Sequence, residues 1–306
     1  MKTIKRIMQE YLDFCCSQKR LDAKTIRAYK IDLTQFIVYV NAKDLSDVTS
    51  ELIEKYLKKL HSKYKPKTIK RKIASLKAFF RYADFHELVP ENPWNRVQCY
   101  FREPVTLPRT IPLGTVKRYL STIYDQMLNG ATIYRRRNAI RDAAICELLF
   151  STGLRIFELC SLSTEDVNLE EDTILIHGKR NKERIIQIGN KQVHDILIKY
   201  KESYINEISS CRIFFTNQKG HPFSDQAVRR MLNYYANLAS IEQHITPHMW
   251  RHTFATALLD ADVDIRYIQE MLGHSSIRTT EIYTHVSMTK QKDILCRKHP
   301  RNNFII

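Results

Sequence analysis

Apolar residues recur every three to four positions through the first 86 residues, which is the spacing of helices that bury one face. Short polar breaks separate the periodic stretches. The pattern predicts four amphipathic helices, over residues 3–18, 22–41, 48–62 and 66–86.

Proline interrupts this helical region. The segment VPENPW is followed by REPVTLPRTIP, Arg102 to Pro112, which contains three prolines. Residues that precede proline are driven towards extended backbone, so the segment is predicted as an interdomain linker. We place the linker at residues 103–112, with the boundary near residue 105, after a helical domain at residues 1–102.

The second predicted domain, residues 113–290, contains both the apolar spacing of helices and the apolar–polar alternation of strands. Helical spacing marks residues 114–128 and 136–151, Gly153 ends the second helix, and a short helix restarts near Arg155. The stretch DTILIHGKRNKERIIQIG alternates apolar and polar residues around a polar turn, which predicts an antiparallel hairpin. Further helices are predicted at 190–206, 224–239, 248–260 and 264–272, another begins in SIRTTEIYTHVS, and 291–306 form a C-terminal tail. The predicted fold is mainly α with a small antiparallel β hairpin.

The net charge of the chain indicates what kind of partner it binds. The chain carries 49 Lys and Arg against 33 Asp and Glu, a net +16, and residues 1–102 alone hold 22 against 11. Within them, the 27 residues from Lys55 to Arg81 contain eleven basic side chains and no acidic one. A solvated helix face usually mixes both signs, so this run favours a surface that follows the phosphates of a nucleic acid. A merely basic soluble enzyme is the alternative.

The seven cysteines show no repeated C-x-x-C spacing, and their number is odd. The N-terminus reads as polar and lysine-rich, without a signal peptide, and no apolar run has membrane-spanning length. These features predict reduced thiols in a cytoplasmic protein that does not contact a membrane.

The stretch TPHMWRHTFATALL carries the first candidate chemistry. It places His248, Arg251 and His252 on one face of a predicted helix. Histidines four residues apart have the spacing of the zinc motif H-E-x-x-H, but Met249 stands where that motif needs glutamate, and a permanent cation would lie against the metal. An anion site suits arginine and imidazole better. A plain polar helix face is the third interpretation.

Other segments of the same domain offer similar groups: Arg155 after a glycine break, Lys179 at the hairpin, His274 in MLGHSS and Tyr283 in EIYTHV. Each residue alone is weak evidence for a functional site, since a lone tyrosine is usually a packing residue and a lysine in a turn is usually solvated. Together they would make a poor apolar core and a good phosphate-transfer site.

The motifs TGLRIFEL, GKRNKER, HMWRHTFAT and LGHSSIRTTEIYTHV, with LDAKTIRAYKIDLTQF in the first domain, resemble those of the tyrosine site-specific recombinases, also called the phage-integrase family. Within the family the chain is most similar to the short, Xer-like members. The resemblance covers nearly the whole chain. It implies a two-domain DNA clamp, made of a helical, SAM-like core-binding domain and a catalytic domain.

The resemblance also implies roles for individual residues. Arg155 and Arg251 would be the catalytic arginines, Lys179 the hairpin lysine, His248 and His274 the two histidines, and Tyr283 the nucleophile. Glu158 and His252 would be supporting residues, although a surface glutamate is the alternative for Glu158. Three positions depart from the family pattern: Phe157, Trp250 and Asp262. Asp tolerates the left-handed backbone that glycine would supply at position 262.

This chemistry needs neither cofactor nor metal. Two guanidinium groups can stabilise the charge that builds on a DNA phosphate under attack, and a phosphotyrosine conserves the energy of the broken bond. In the first domain, the expected phosphate contacts come from the basic run: Lys65, Lys67, Lys70, Arg71, Lys72 and Lys77.

The predicted function is therefore a site-specific DNA recombinase that acts through a 3′-phosphotyrosyl intermediate. Its setting would be integration and excision of a mobile element or Xer-like resolution of DNA multimers, with Phe157 and Trp250 favouring the mobile element slightly. The expected partners are double-stranded DNA with a specific site, three further protomers in a tetramer on DNA, and a related recombinase or accessory protein at the nucleoid. A topoisomerase of type IB and a non-catalytic helical DNA-binding regulator are the alternatives.

Overall fold

In a computed structural model that describes residues 3–99, 108–178 and 183–273, the N-terminal apolar periods form four helices. They are α1 (Ile4–Ser17), α2 (Ala23–Val40), α3 (Ser50–Lys63) and α4 (Pro66–Phe85). Local chemistry sets their starts: the Asp22 and Thr49 side chains accept backbone N–H groups at α2 and α3, and Pro66 opens α4. The four predicted helices are confirmed. They belong to the first of two compact units, Met1–Val105 and Thr106–Ile306.

A cluster of aromatic residues lies in the core of the first unit. Tyr11, Phe36, Phe79 and Phe80 are fully buried and contact one another or their neighbours edge-on. Two short 3₁₀ helices, Leu45–Asp47 and Pro93–Arg96, complete this unit.

The second unit contains the remaining elements of the described chain. Its helices are α5 (Leu113–Asn129), α6 (Ile133–Thr152), α7 (Ile156–Cys160), α8 (Lys191–Ser203), α9 (Ile205–Cys211), α10 (Asp225–Leu238), α11 (Pro247–Asp260) and α12 (Ile265–Leu272). Its strands are β1 (Val167–Asn168), β2 (Thr173–His177) and β3 (Glu183–Gln187). They form one antiparallel sheet in the order β1-β2-β3. The predicted mainly α fold with a small antiparallel sheet is confirmed.

Helix α6 runs through the centre of this unit. It packs against α5, α8 and α11, and its second half is buried on nearly all sides. Trp250 of α11 is completely buried and meets the Tyr119 and Phe150 rings edge-on, at 5.3 Å and 6.1 Å between ring centres. Trp250 is therefore a core residue that fixes α11 against α5 and α6.

The sequence pattern missed two details. A single helix was predicted at residues 190–206, but the chain breaks at Tyr204 and restarts as α9. Strand β1 was not predicted, because it has two residues and exists through its pairing with β2. Asp262, by contrast, has the left-handed φ of +65° expected for a glycine position. Among the described residues, no helix is both long enough and apolar enough to cross a membrane.

Candidate active site

The sharp turn between α6 and α7 is the first element of the site. Gly153 caps α6 with a φ of +60°, and a Cβ there would lie 2.5 Å from the Phe254 side chain. Glycine satisfies both the left-handed backbone and the close approach. The turn puts Arg155 at the N-cap of α7, with its side chain 33% exposed.

Glu158 holds Arg155 in place. Its Oε2 accepts the backbone N–H of Arg155 at 2.9 Å, and its Oε1 accepts Nη1 of the same residue at 2.8 Å. Burial alone would raise the pKa of the Glu158 carboxyl, but hydrogen bonds from Arg184 and Arg155, with the charges of both guanidinium groups, lower this pKa below its usual value. Glu158 is thus a buried carboxylate, and its interpretation as a surface glutamate is wrong.

Arg251 reaches the same region from α11. Its Nη1 donates to the carbonyl of Gly153 at 2.7 Å, and its Nη2 donates to the carbonyl of Leu272 at 2.6 Å. The residue is 4% exposed. Since both acceptors are backbone atoms at helix ends, the main chain sets the position of this guanidinium group.

Three arginines meet at the C-terminus of α12. Arg184 of β3 donates to the carbonyl of Met271 at 2.9 Å, Arg251 to that of Leu272, and Arg155 to that of Gly273 at 3.3 Å. The last carbonyls of a helix have no partner within the helix and carry the negative end of its dipole. The end of α12 therefore gathers three positive groups, while one buried carboxylate, Glu158, bonds two of them.

The two histidines of α11 have different environments. His248 is exposed in the first turn, where the Thr246 side chain caps the helix. His252 is largely buried, and burial, followed by the nearby His248 and Arg251, lowers its pKa to about 4. Hence His252 is neutral at physiological pH. Within the described ranges, no three His, Cys, Asp or Glu residues are grouped so that they could hold a metal ion.

Three of the predicted catalytic residues, Lys179, His274 and Tyr283, lie outside the described residues. The described chain reaches both sides of Lys179 at the hairpin strands and ends at Gly273, next to His274. What the structure brings together is therefore Arg155, Glu158 and Arg251, with the α11 histidines beside Arg251 in sequence.

A histidine lies at the turn end of the hairpin. His177, the last residue of β2, pairs across the strands with Glu183, the first residue of β3. Its Nε2 lies 2.9 Å from Asp166 Oδ1, and its Nδ1 lies 3.1 Å from Glu183 Oε1. The hydrogen bond to Asp166 raises the His177 pKa, and its effect outweighs the partial desolvation that lowers it.

The basic run of the first unit divides into exposed and buried members. Lys65, Lys67, Lys70 and Lys77 are exposed, and Lys77 lies over the Trp94 ring at 5.3 Å. Arg71 keeps 43% of its side chain exposed while it bonds the buried Asp32.

Lys72 was predicted to contact DNA, and this prediction is wrong. Its side chain is 2% exposed, and its Nζ donates to Asp32 Oδ1 at 2.9 Å and to Gln35 Oε1 at 2.5 Å. A buried, paired ammonium presents no charge to a phosphate at the surface. Lys72 is therefore a core residue of the first unit and not a phosphate contact.

Two family profiles match this chain. The profile of the Phage integrase family matches residues 120–290, and that of the Phage integrase N-terminal SAM-like domain matches residues 8–84. The chain belongs to the phage integrase family. This phage integrase family member is 58% identical over 304 residues to a tyrosine recombinase of Agathobacter rectalis, a match that covers 99% of both chains.

Two further proteins show how this member of the family compares. It is 33% identical over 314 residues to tyrosine recombinase XerC of Bacillus pumilus, covering 98% of each chain. Among solved structures, it is similar to the XerH site-specific recombinase bound to palindromic difH substrate in a post-cleavage complex. That match has a TM-score of 0.74 and 21% identity, covers 95% of this chain and 84% of the other, and shows the shared fold.

Membership of the phage integrase family gives the reaction. Tyrosine recombinases cut and rejoin DNA strands through a phosphotyrosine intermediate, and this chain is such a site-specific recombinase. The comparisons favour neither a topoisomerase nor a non-catalytic regulator.

Arg184 was not among the site residues predicted for this family member. The residue lies in the quoted stretch GKRNKER, but only Lys179 was selected there. One signal was available: positions 184, 186 and 188 share the inward face of β3 and its extension, and Ile186 and Ile188 are buried apolar residues. A charged residue on the buried face of a strand needs a partner, and Glu158 is that partner.

Proposed function

We propose that Arg155 and Arg251 bind the nonbridging oxygens of the scissile phosphate in a specific double-stranded DNA site. One observation carries this proposal: three guanidinium groups converge on the end of α12, where Glu158 is the buried carboxylate that bonds two of them. The remaining positive charge suits a phosphate, and arginine forks match phosphate oxygens. Because carboxylate and backbone atoms fix these groups before DNA binds, little reorganisation is needed as charge develops.

Tyr283 is the proposed nucleophile. Its Oη forms a bond to phosphorus, and the bond from phosphorus to the 5′-oxygen breaks, which leaves a 3′-phosphotyrosine. The proton of the tyrosine goes to a base, for which we assign His248, and the departing 5′-oxygen takes a proton from Lys179. His274 contributes to the same phosphate site. His252, which stays neutral because its pKa is about 4, supports α11 beside Arg251.

The intermediate makes strand exchange possible. A 5′-hydroxyl of a second DNA can attack the phosphotyrosine and release Tyr283, so the energy of the original bond is kept and no nucleotide cofactor is consumed. Exchange between two duplexes uses four strands, and we propose one protomer for each, in a tetramer on two DNA sites. A related recombinase or an accessory protein is the further partner that the family resemblance suggests.

The proposed setting is Xer-like resolution of DNA multimers at the nucleoid, in the cytoplasm. The match to XerC over 98% of both chains supports it. Of the two residues that had favoured a mobile element, Trp250 packs in the core and carries no information about the DNA target, while Phe157 is 55% exposed. Mapping covalent adducts on genomic DNA tests this setting. A single chromosomal site supports it, whereas adducts at the ends of an inserted element overturn it.

A nicked suicide substrate tests the chemistry. Cleavage beside the nick releases a short fragment, so the covalent adduct accumulates and can be counted on a denaturing gel. Tyr283→Phe should remove the adduct and leave DNA binding intact, because the substitution removes only the nucleophilic oxygen. Tyr267→Phe, at a tyrosine that is 62% exposed on α12, is the matched control and should behave as wild type.

The same assay tests the absence of a metal from the mechanism. Adduct formation should survive EDTA, since arginines and proton-transfer groups supply the catalysis. An adduct that persists in Tyr283→Phe would assign the nucleophile elsewhere. Loss of cleavage under EDTA, restored by zinc or magnesium, would return the histidines to a metal-binding role.

A further inference from the structure

Arg184 makes a set of contacts that no proposed catalytic step uses. From β3 its Nη1 donates to Glu158 Oε1 at 3.1 Å, its Nη2 to Glu158 Oε2 at 2.8 Å, and its Nε to the carbonyl of Met271 at 2.9 Å. The side chain is 12% exposed. One guanidinium group thus connects α7, β3 and α12.

We propose that Arg184 is a positioning residue that orients the catalytic Arg155 through Glu158. The inference rests on the proposed function of Arg155 as a phosphate ligand and adds a residue that never touches the DNA. It predicts that the rate of strand cleavage depends on Arg184 while DNA binding does not.

Hydrogen bonds connect Arg184 to Arg155 through the carboxylate of Glu158. Each carboxylate oxygen is shared: Oε1 accepts from Nη1 of both arginines, and Oε2 accepts from the Arg155 backbone N–H and from Arg184 Nη2. A bidentate pair with a planar guanidinium fixes the plane of the carboxylate. Without Arg184, this plane could turn and Arg155 would lose its fixed partner.

Exposure separates the two arginines. All three side-chain nitrogens of Arg184 donate to protein acceptors and the side chain is 12% exposed, whereas that of Arg155 is 33% exposed. Arg155 can therefore present donors to a ligand, and Arg184 is enclosed by the protein. Exposure alone does not make the assignment, because Arg251 is 4% exposed; Arg184 also differs in that its guanidinium group forms a bidentate pair with the Glu158 carboxylate, which assigns it to support.

Gly273 makes room for this arrangement. It has a left-handed φ of +61°, and a Cβ added there would lie 2.9 Å from Arg184 Nη1 and 3.2 Å from its Cζ. Only glycine lets the guanidinium group cross the end of α12 at this distance. The lowered pKa of Glu158 agrees, since the hydrogen bond from Arg184 is the strongest effect that opposes burial of that carboxyl.

Single-turnover cleavage of the suicide substrate tests the role of Arg184. Arg184→Ala and Arg184→Lys should each slow adduct formation at least about tenfold, because neither side chain can bridge both carboxylate oxygens and the Met271 carbonyl. Their affinity for the DNA site should stay within about twofold of wild type. The matched control is Arg266→Ala, which removes an arginine of α12 that is 79% exposed and pairs with Asp264.

A double-mutant cycle distinguishes positioning from a general structural effect. If Arg184 acts through Arg155, its substitution should change the rate less than about twofold in an Arg155→Ala background. All four proteins of the cycle are compared on the same phosphodiester substrate, because a substrate that depends less on Arg155 would hide the coupling. Melting curves identify variants that fail to fold. If Arg184→Ala does, the cycle is run with Arg184→Lys.

Two results would overturn the inference. One is cleavage at the wild-type rate by the Arg184 variants, and the other is a loss that multiplies with that of Arg155→Ala. Failure of the proposed function looks different, because Arg155→Ala would then form the adduct at the wild-type rate.

Discussion

Lys70 and Lys72 lie two positions apart on α4, yet one faces solvent and the other is buried. Sequence spacing could have separated them, since Ile69, Lys72, Ile73 and Leu76 share one helical face and are all buried. The charge of Lys72 nevertheless predicted an exposed side chain, because a lysine is buried only when it has a partner. That partner, Asp32, is 40 positions away on α2, and no local pattern connects the two residues.

We predict that Lys72→Met destabilises the first unit by about 2–4 kcal/mol, because it leaves Asp32 buried with one cation fewer. Denaturant unfolding measures the loss. The matched variant is Lys70→Met, at an exposed position of the same helix, and it should change stability by less than about 0.5 kcal/mol. Equal effects for the two variants would show that the pair with Asp32 contributes no stability.

Residues with special backbone or family motifs were predictable, and residues defined by tertiary contacts were not. Gly153 ends α6 as the sequence indicated, and Asp262 takes the left-handed conformation expected of a glycine position. Arg155 and Arg251 came from the motifs, and the structure brings them to one helix end. Arg184 was missed because its role depends on Glu158 and Met271, which are 26 and 87 positions away.

Among the elements, helix α4 presents a straight basic stripe. Lys67, Lys70, Ala74, Lys77 and Arg81 recur at three- and four-residue steps, and all are exposed. At 1.5 Å per residue the stripe extends roughly 20 Å along the helix. This regular exposure suits a phosphate backbone, which presents charges in a line.

We predict that Lys67→Ala with Lys70→Ala lowers the affinity for DNA and reduces the salt dependence of binding. Each lost phosphate contact should reduce the slope of log K against log salt concentration by about 0.9. Arg71 is left in place because it bonds Asp32, so its removal would mix binding with stability. Lys5→Ala with Lys43→Ala, two exposed lysines outside α4, is the control. An unchanged slope in the α4 variant would make the stripe a solvated face.

The hairpin offers a pH-dependent prediction. Hydrogen bonding to Asp166 raises the His177 pKa, so His177 stabilises the fold fully below its unfolded pKa of about 6.5, and this contribution is lost as pH rises through the folded value. The stability difference between wild type and His177→Gln should therefore shrink between pH 6 and pH 8. In an NMR titration, Asp166→Asn should move the His177 pKa down towards 6.5. If the substitution leaves the His177 pKa unchanged, Asp166 is not the cause of the raised pKa.

Helix periods are local, and this is why most elements were predicted within a few residues. The break between α8 and α9 is different. Arg137 of α6 donates two hydrogen bonds, of 3.0 Å and 2.7 Å, to the carbonyl of Ser203, the last residue of α8. An arginine far away in the sequence thus bonds a backbone carbonyl where the helix ends. The apolar periodicity of the sequence cannot predict such a contact.

At the scale of the whole molecule, function was more predictable than geometry. Five motifs in family order identified a recombinase, because each motif preserves chemistry that the reaction needs. The network that holds the arginines follows from packing between α6, α7, α11, α12 and β3, elements far apart in the chain. Composition and spacing do not encode those distances.

The last prediction concerns assembly on DNA. The segment SMTKQKDILCRKHPRNNFII ends in three apolar residues, which a small monomer has little reason to expose. The family resemblance implies that this tail docks on a neighbouring subunit, so we expect a protein that is mostly monomeric when free and associates cyclically on DNA. Deleting residues 292–306 should abolish cooperative complexes in a gel-shift titration, while single-site binding and the melting temperature are retained. A collapsed melting temperature would instead mean that Ile294, Leu295 and Phe304 pack on their own domain, and docking between subunits would be wrong.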